Sequence, residues 1–291
     1  MNQQEAFNEL ERLQRLQKCS EGTIYNYKRI LLQFFEVINK ENAEEINEDD
    51  IIKFFNHIQN KTENKKANSI NTIRFIIKAF IKKVLRNQQL YTNFNFIVPS
   101  IPNNKEEEEA LTIEEIKQIF DIINNERNKT MLHLIYSSGL RRAEISKLKW
   151  EHINFSEEGK IISPIFTIKE AKGRGGGKTR TGKLSKIVIE ELEKFYKNKN
   201  SEYIFPSCSN KKKGITGVTI NNIFKNYSKK AGIKKNVHVH LLRVSYATHL
   251  SNKEVDISII QQAMGHSNIN TTLGYIRNKK EKIKKIPDLL E

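Results

Sequence analysis

The stretch His240-Leu241-Leu242-Arg243-Val244-Ser245-Tyr246-Ala247-Thr248-His249-Leu250 contains neither glycine nor proline and reads as one helix. Residues three apart share a helix face, so His240 and Arg243 can meet the same ligand, and that pair of donors suits a phosphate. Upstream, Gly139-Leu140-Arg141-Arg142-Ala143-Glu144 sets a carboxylate three residues after Arg141, close enough to steer its guanidinium. Downstream, Gly265-His266-Ser267 is followed by Thr271-Thr272 and then Tyr275, nine residues after His266.

Around these boxes the chain divides in two. Residues 1 to about 97 read as four amphipathic helices. Phe7, Leu10, Leu13 and Leu16 mark the first, and Ile24, Tyr27, Leu31, Phe34, Phe35 and Ile38, after a possible Ser20 cap, mark the second. Ile51, Phe54, Phe55 and Ile58 mark a third, and a fourth runs from near Asn68 to Val84, ahead of Pro99 and Pro102. The acidic, proline-bearing segment 99–110 has almost nothing to bury and reads as an exposed linker; its consecutive glutamates cannot converge on one ion. A second domain opens at Leu111, where Thr112 and Glu115 have capping-box spacing, and its next helix ends at Gly139. Between about 160 and 186, a β-prone run, a glycine-rich turn and a polar strand spell a hairpin, after which helices return. The expected units are 1–98, a linker at 99–110, and 111–291.

In this order the boxes resemble those of the tyrosine recombinase family, the phage integrases and Xer-like enzymes. Gly139 to Glu144 is similar to that family's G-L-R-x-x-E, His240 to Leu250 to its H-x-L-R-H-S-x-A-T-x-L, and Gly265 to Tyr275 to its G-H-x-x-x-x-T-T-x-x-Y ending. Val244 stands where the family usually has a second histidine. The resemblance implies a mainly α protein with a small antiparallel sheet: a four-helix, SAM-like core-binding domain and a catalytic domain, closing as a C-shaped clamp on DNA. It assigns Arg141 and Arg243 to the scissile phosphate, His240 and His266 to phosphate oxygens or the tyrosine proton, and Tyr275 to the nucleophile. A hairpin lysine is implied as general acid toward the leaving 5′ oxygen; Lys172 matches best, with Lys169 and Lys178 as alternatives because the turn is longer than in Xer-type members.

Such residues suffice for strand cleavage and rejoining. Two forked guanidiniums bind the oxygens of a phosphorane, and a tyrosyl ester with DNA stores the bond energy, so the implied reaction needs no cofactor, metal or ATP. No phosphate-cradling G-x-x-x-x-G-K-[ST] loop and no H-E-x-x-H zinc motif occurs in the sequence. The implied partners are double-stranded DNA with inverted-repeat core sites and further copies of the chain. A monomer or weak dimer in solution becomes a homotetramer on paired sites, with the tail beyond Tyr275 docked in cis or in trans. A type IB topoisomerase and a regulator with a decayed active site are the competing readings; the small N-terminal domain argues against the first and the intact boxes against the second.

Composition agrees. The 291 residues carry 50 lysines and arginines against 34 acids, a net charge of +16, which points to a polyanionic partner. Cys19 and Cys208 lie far apart, and neither a leader nor a membrane span is evident, so a soluble, cytoplasmic, nucleoid-associated protein is expected. Trp150 reads as a core anchor, and His57, His133, His152, His238 and His249 as structural or surface residues.

Overall fold

The computed structural model describes residues 1–60, 67–102, 108–169, 179–265 and 272. Outside these fall the glycine-rich turn with Lys172 and Lys178, as well as His266, Tyr275 and the tail. The chain forms two compact units that divide near residue 106.

The first unit packs α1 (Gln3–Leu16), α2 (Glu21–Ile38), α3 (Glu48–Asn60), α4 (Ala67–Phe80) and α5 (Gln88–Ile97). Short polar caps start α1 and α2: Asn2 and Glu5 form a capping box on α1, and the Ser20 hydroxyl accepts from the Thr23 N–H at the start of α2. Edge-on phenylalanine pairs knit the core, with Phe34 against Phe54 at 5.0 Å, Phe35 against Phe80 at 5.9 Å and Phe55 against Phe94 at 6.2 Å. The described residues hold one helix more than the four expected. In α5 only Leu90 and Phe94 are buried and Phe96 is almost fully exposed, so its apolar period is too sparse to announce it. The fourth helix also stops at Phe80 and gives way to a π turn, Ile81–Leu85, that keeps Ile81 and Val84 in the core.

In the second unit Leu111 is fully buried. The Thr112–Glu115 capping box forms and starts α6 (Ile113–Asp121). Then follow α7 (Glu126–Ser138), α8 (Arg142–Ser146), β1 (Ile153–Phe155), β2 (Ile161–Lys169), β3 (Thr179–Lys183), α9 (Lys186–Tyr196), α10 (Gly217–Lys230), α11 (Val239–Asn252) and α12 (Ile257–Met264). The expected hairpin is β2–β3, and the three-residue β1 adds an outer strand in the antiparallel order β1-β2-β3. Trp150 packs edge-on against Phe155 and Tyr196, as a core anchor does. The acidic end of segment 99–110 is exposed yet paired: Glu108 with His238 at 3.1 Å and Glu109 with Lys235 at 2.8 Å. Among the described residues no helix is long and apolar enough to cross a membrane.

Helix α11 is the centre of this unit. Leu241, Leu242, Arg243, Val244, Ser245 and Ala247 are all buried, so it is enclosed nearly all round rather than along one stripe. The Ser245 hydroxyl accepts from the Leu111 N–H at 2.9 Å and donates to the Leu241 carbonyl at 2.8 Å, tying the start of the unit to this helix. Val244, the departure from the family pattern, is 2% exposed within the main cluster, where an apolar side chain is the natural occupant.

The sheet turns its Phe166 ring inward across Gly182 of the neighbouring strand, where an added Cβ would lie 2.2 Å from the ring edge. The ring is buried and has nowhere to move. Gly182→Ala is therefore expected to lower the unfolding free energy by about 1–3 kcal/mol, read as a reduced urea midpoint with unchanged slope.

Candidate active site

Helix α7 ends on Gly139, which takes the left-handed conformation (φ 61°) and turns the chain into the Arg141 box. A side chain there would be strained and would also strike the Tyr246 ring of α11, at 2.6 Å. Two residues on, Arg141 is the residue that opens α8, and Glu144 sits in the first turn beneath it. One Glu144 oxygen accepts from the Arg141 Nη1 at 2.7 Å, and the other accepts from the Arg141 backbone N–H, also at 2.7 Å. The expected steering of Arg141 by Glu144 thus has a defined geometry. Burial by itself would raise the Glu144 carboxyl, but the charge of Arg180 and then the Arg141 contacts outweigh it and hold its pKa below the ordinary carboxylate value. Arg142 is exposed and leans toward Gly217 at the start of α10, away from this cluster.

Arg243 reaches the same place from α11. It donates to the Gly139 carbonyl and to the Met264 carbonyl at the end of α12, while Arg141 Nη2 donates to the carbonyl of Gly265 at 2.9 Å. Both arginines therefore rest on the C-terminal end of α12, where unpaired carbonyls and the negative end of the helix dipole attract cations. Gly265 closes α12 in the left-handed conformation (φ 61°), immediately before His266. Their exposure differs: the Arg141 side chain is 37% exposed and Arg243 only 1%. His240 lies one turn before Arg243 and reaches solvent, yet desolvation of its ring, and next the Arg243 charge, hold its pKa below the usual histidine value. Its ring stacks on that of His238 at 6.2 Å.

A third arginine, which sequence analysis did not single out, joins them. Arg180 on β3 is 4% exposed and donates to the second Glu144 oxygen, and to the carbonyls of Ser138 at 3.0 Å, Gly139 at 3.2 Å and Ala263 at 2.7 Å. Its strand, Thr-Arg-Thr-Gly-Lys, is short and polar, and only the inward register opposite Ile168 marks Arg180 as buried.

Of the residues expected at the site, the structure brings together Arg141 and Arg243, with His240 on the same helix as Arg243. Lys169 ends β2 opposite Thr179. Lys172, Lys178, His266 and Tyr275 lie outside the described residues; Gly265 precedes His266, and Thr272, fully buried and helical, stands three residues before Tyr275. Among the described residues no group of three or more histidine, cysteine, aspartate or glutamate side chains is placed to hold a metal ion.

Known proteins give the same picture. Residues 109–282 match the phage integrase family, and residues 7–90 match the phage integrase N-terminal SAM-like domain. Tyrosine recombinase XerA of Pyrococcus horikoshii is 33% identical over 266 residues, covering 90% of this chain and 85% of the relative. Tyrosine recombinase XerD of Rickettsia bellii is 29% identical, covering 95% and 94%. The fold is similar to that of the Tn1549 transposon integrase solved with circular intermediate DNA, with a TM-score of 0.73 at 16% identity over 96% of this chain and 97% of that one. A catalytic unit with these boxes in this order, behind a SAM-like domain, places the chain in the phage integrase family of tyrosine recombinases.

Proposed function

We propose that Arg141, Arg243 and His240 form the phosphate pocket of this site-specific DNA recombinase and that Tyr275 is its nucleophile. The observation that carries the assignment is the convergence of Arg141 and Arg243, from two separate boxes, on the carbonyls of residues 264–265 just ahead of His266. The orientation of Arg142 away from them supports the register in which Arg141 takes the phosphate.

In the proposed reaction the Tyr275 oxygen attacks the scissile phosphorus, the bond to the 5′ oxygen breaks, and a hairpin lysine protonates the leaving oxygen. Lys172 remains the first candidate, with Lys169 and Lys178 behind it. The product is a 3′-phosphotyrosine ester, and attack by the 5′ hydroxyl of another strand reverses the chemistry and rejoins DNA. A guanidinium presents several N–H donors in a rigid fork, so it can keep a backbone carbonyl while meeting the extra charge of the phosphorane. His240 and His266 complete the set, as donors to the phosphate oxygens or as the acceptor of the proton that Tyr275 gives up on attack. The step as written consumes no metal and no ATP.

The proposed substrate is duplex DNA with inverted-repeat core sites, bound by the helical unit at 1–98 and the catalytic unit at 111–291 on either side of a linker at 99–110. A structural neighbour, XerH, has been solved bound to its difH substrate, which supports DNA as the partner. The net charge of +16 supports it as well. Assembly into a tetramer on paired sites belongs to the same proposal, with the tail after Tyr275 as the coupling element.

The test uses a core site selected from random-sequence DNA by the chain itself, nicked close to the cleavage position so that the adduct is trapped. Tyr275→Phe is expected to abolish the covalent adduct on a denaturing gel while DNA affinity stays within about threefold; an adduct retained by that variant contradicts the assignment. Arg141→Ala and Arg243→Ala are each expected to slow adduct formation by at least about 10²-fold, as the loss of a preorganised donor does, whereas Arg142→Ala changes it little. The parent's adduct formation should persist in EDTA, and its affinity should fall steeply between 50 and 200 mM salt, by about 10³-fold if six phosphates are neutralised.

A further inference from the structure

The Glu144 carboxylate and the three carbonyls that accept from the buried Arg180 guanidinium all lie beside residues of the proposed site. Ser138 and Gly139 end α7 just before Arg141. Glu144 is the carboxylate that holds Arg141 from below. Ala263 lies in the last turn of α12, two residues before the Gly265 carbonyl on which Arg141 rests and three before His266. Arg180 itself sits on the hairpin, two residues after Lys178. An added Cβ on Gly265 would come within 2.9 Å of the Arg180 stem, so α12 ends directly against this side chain.

We propose that Arg180 is a positioning residue for strand cleavage: it touches no DNA, and through Glu144 and the Ala263 carbonyl it fixes Arg141 and the end of α12 relative to each other. The proposal rests on the assignment of Arg141 to the scissile phosphate.

The physical reason for an arginine is directional. Its rigid fork addresses Glu144 through one terminal nitrogen and three carbonyls through the other. A lysine ammonium keeps the charge but has three rotating donors and no plane, so it cannot define the same set of directions. Glu144 is itself 6% exposed and is shared between Arg180 and Arg141. If Arg180 shifts, the carboxylate re-centres on the remaining guanidinium and Arg141 moves with it. A misplacement of about 1 Å at a reacting group costs about 10²-fold in rate, whereas DNA affinity, spread over many phosphate contacts, barely changes.

The experiment measures single-turnover adduct formation by the full chain on the nicked selected duplex at saturating enzyme, alongside DNA affinity and the thermal midpoint. Arg180→Lys and Arg180→Gln are each expected to fold, to bind the duplex within about threefold of the parent, and to form adduct about 10²-fold more slowly. Because Arg180 acts through Arg141, the double variant Arg141→Lys/Arg180→Lys should be about as slow as Arg141→Lys alone, since groups that act as a unit are not additive. Parental rates in either folded variant, or losses that multiply in the double variant, overturn the proposal. Failure of both variants to fold assigns Arg180 to stability alone and overturns it equally. If Arg141→Lys itself keeps the parental rate, the phosphate-pocket assignment fails first and this inference falls with it.

Discussion

The catalytic unit depends on how two helix ends are satisfied. Helices α7 and α12 finish side by side on left-handed glycines, leaving the carbonyls of residues 138–139 and 263–265 without partners inside their helices. Three arginines supply those partners: Arg141 from α8, Arg180 from β3 and Arg243 from α11. Glu144 balances part of their charge from within the same cluster. The group thus serves as the cap of two helices and as the base of the proposed phosphate pocket.

Burying this much charge is tolerated because the terminal guanidinium nitrogens meet carboxylate and carbonyl acceptors. Removing one partner of a buried ion pair commonly costs about 3–5 kcal/mol, since it strands the charge left behind. That makes the geometry stiff, which suits chemistry that relies on donors already aimed at the transition state. The depressed Glu144 pKa has a consequence for acid stability. Its contribution is present at neutral pH, above the unfolded-state value, and is lost as the pH falls through the lower folded value.

The boxes were legible in the sequence because each is local. Gly139 to Glu144 encodes a helix end, a left-handed turn and a new helix start within six residues, and His240 to Leu250 lies on one helix. Helix α5 was not legible, because only Leu90 and Phe94 of it are buried and Phe96 points outward. Strand β1 is three residues long and exists only by pairing with β2. Arg180 was hidden for a third reason. Nothing within its own strand explains a buried charge, and its acceptors come from residues 36 to 83 positions away. The choice among Lys169, Lys172 and Lys178 stays where the sequence left it, since only the backbone of Lys169 falls within the described residues.

Arg141, held by Glu144 and the Gly265 carbonyl, and Arg243, held by the Gly139 and Met264 carbonyls, are proposed to receive the scissile phosphate together. A crystal structure of the chain with the nicked selected duplex decides whether they do. The scissile phosphate is expected within hydrogen-bond distance of both guanidiniums, with Arg180 still on Glu144 and the Tyr275 oxygen facing the phosphorus. A phosphate held by Arg142 instead, or bound away from the end of α12, would contradict that assignment.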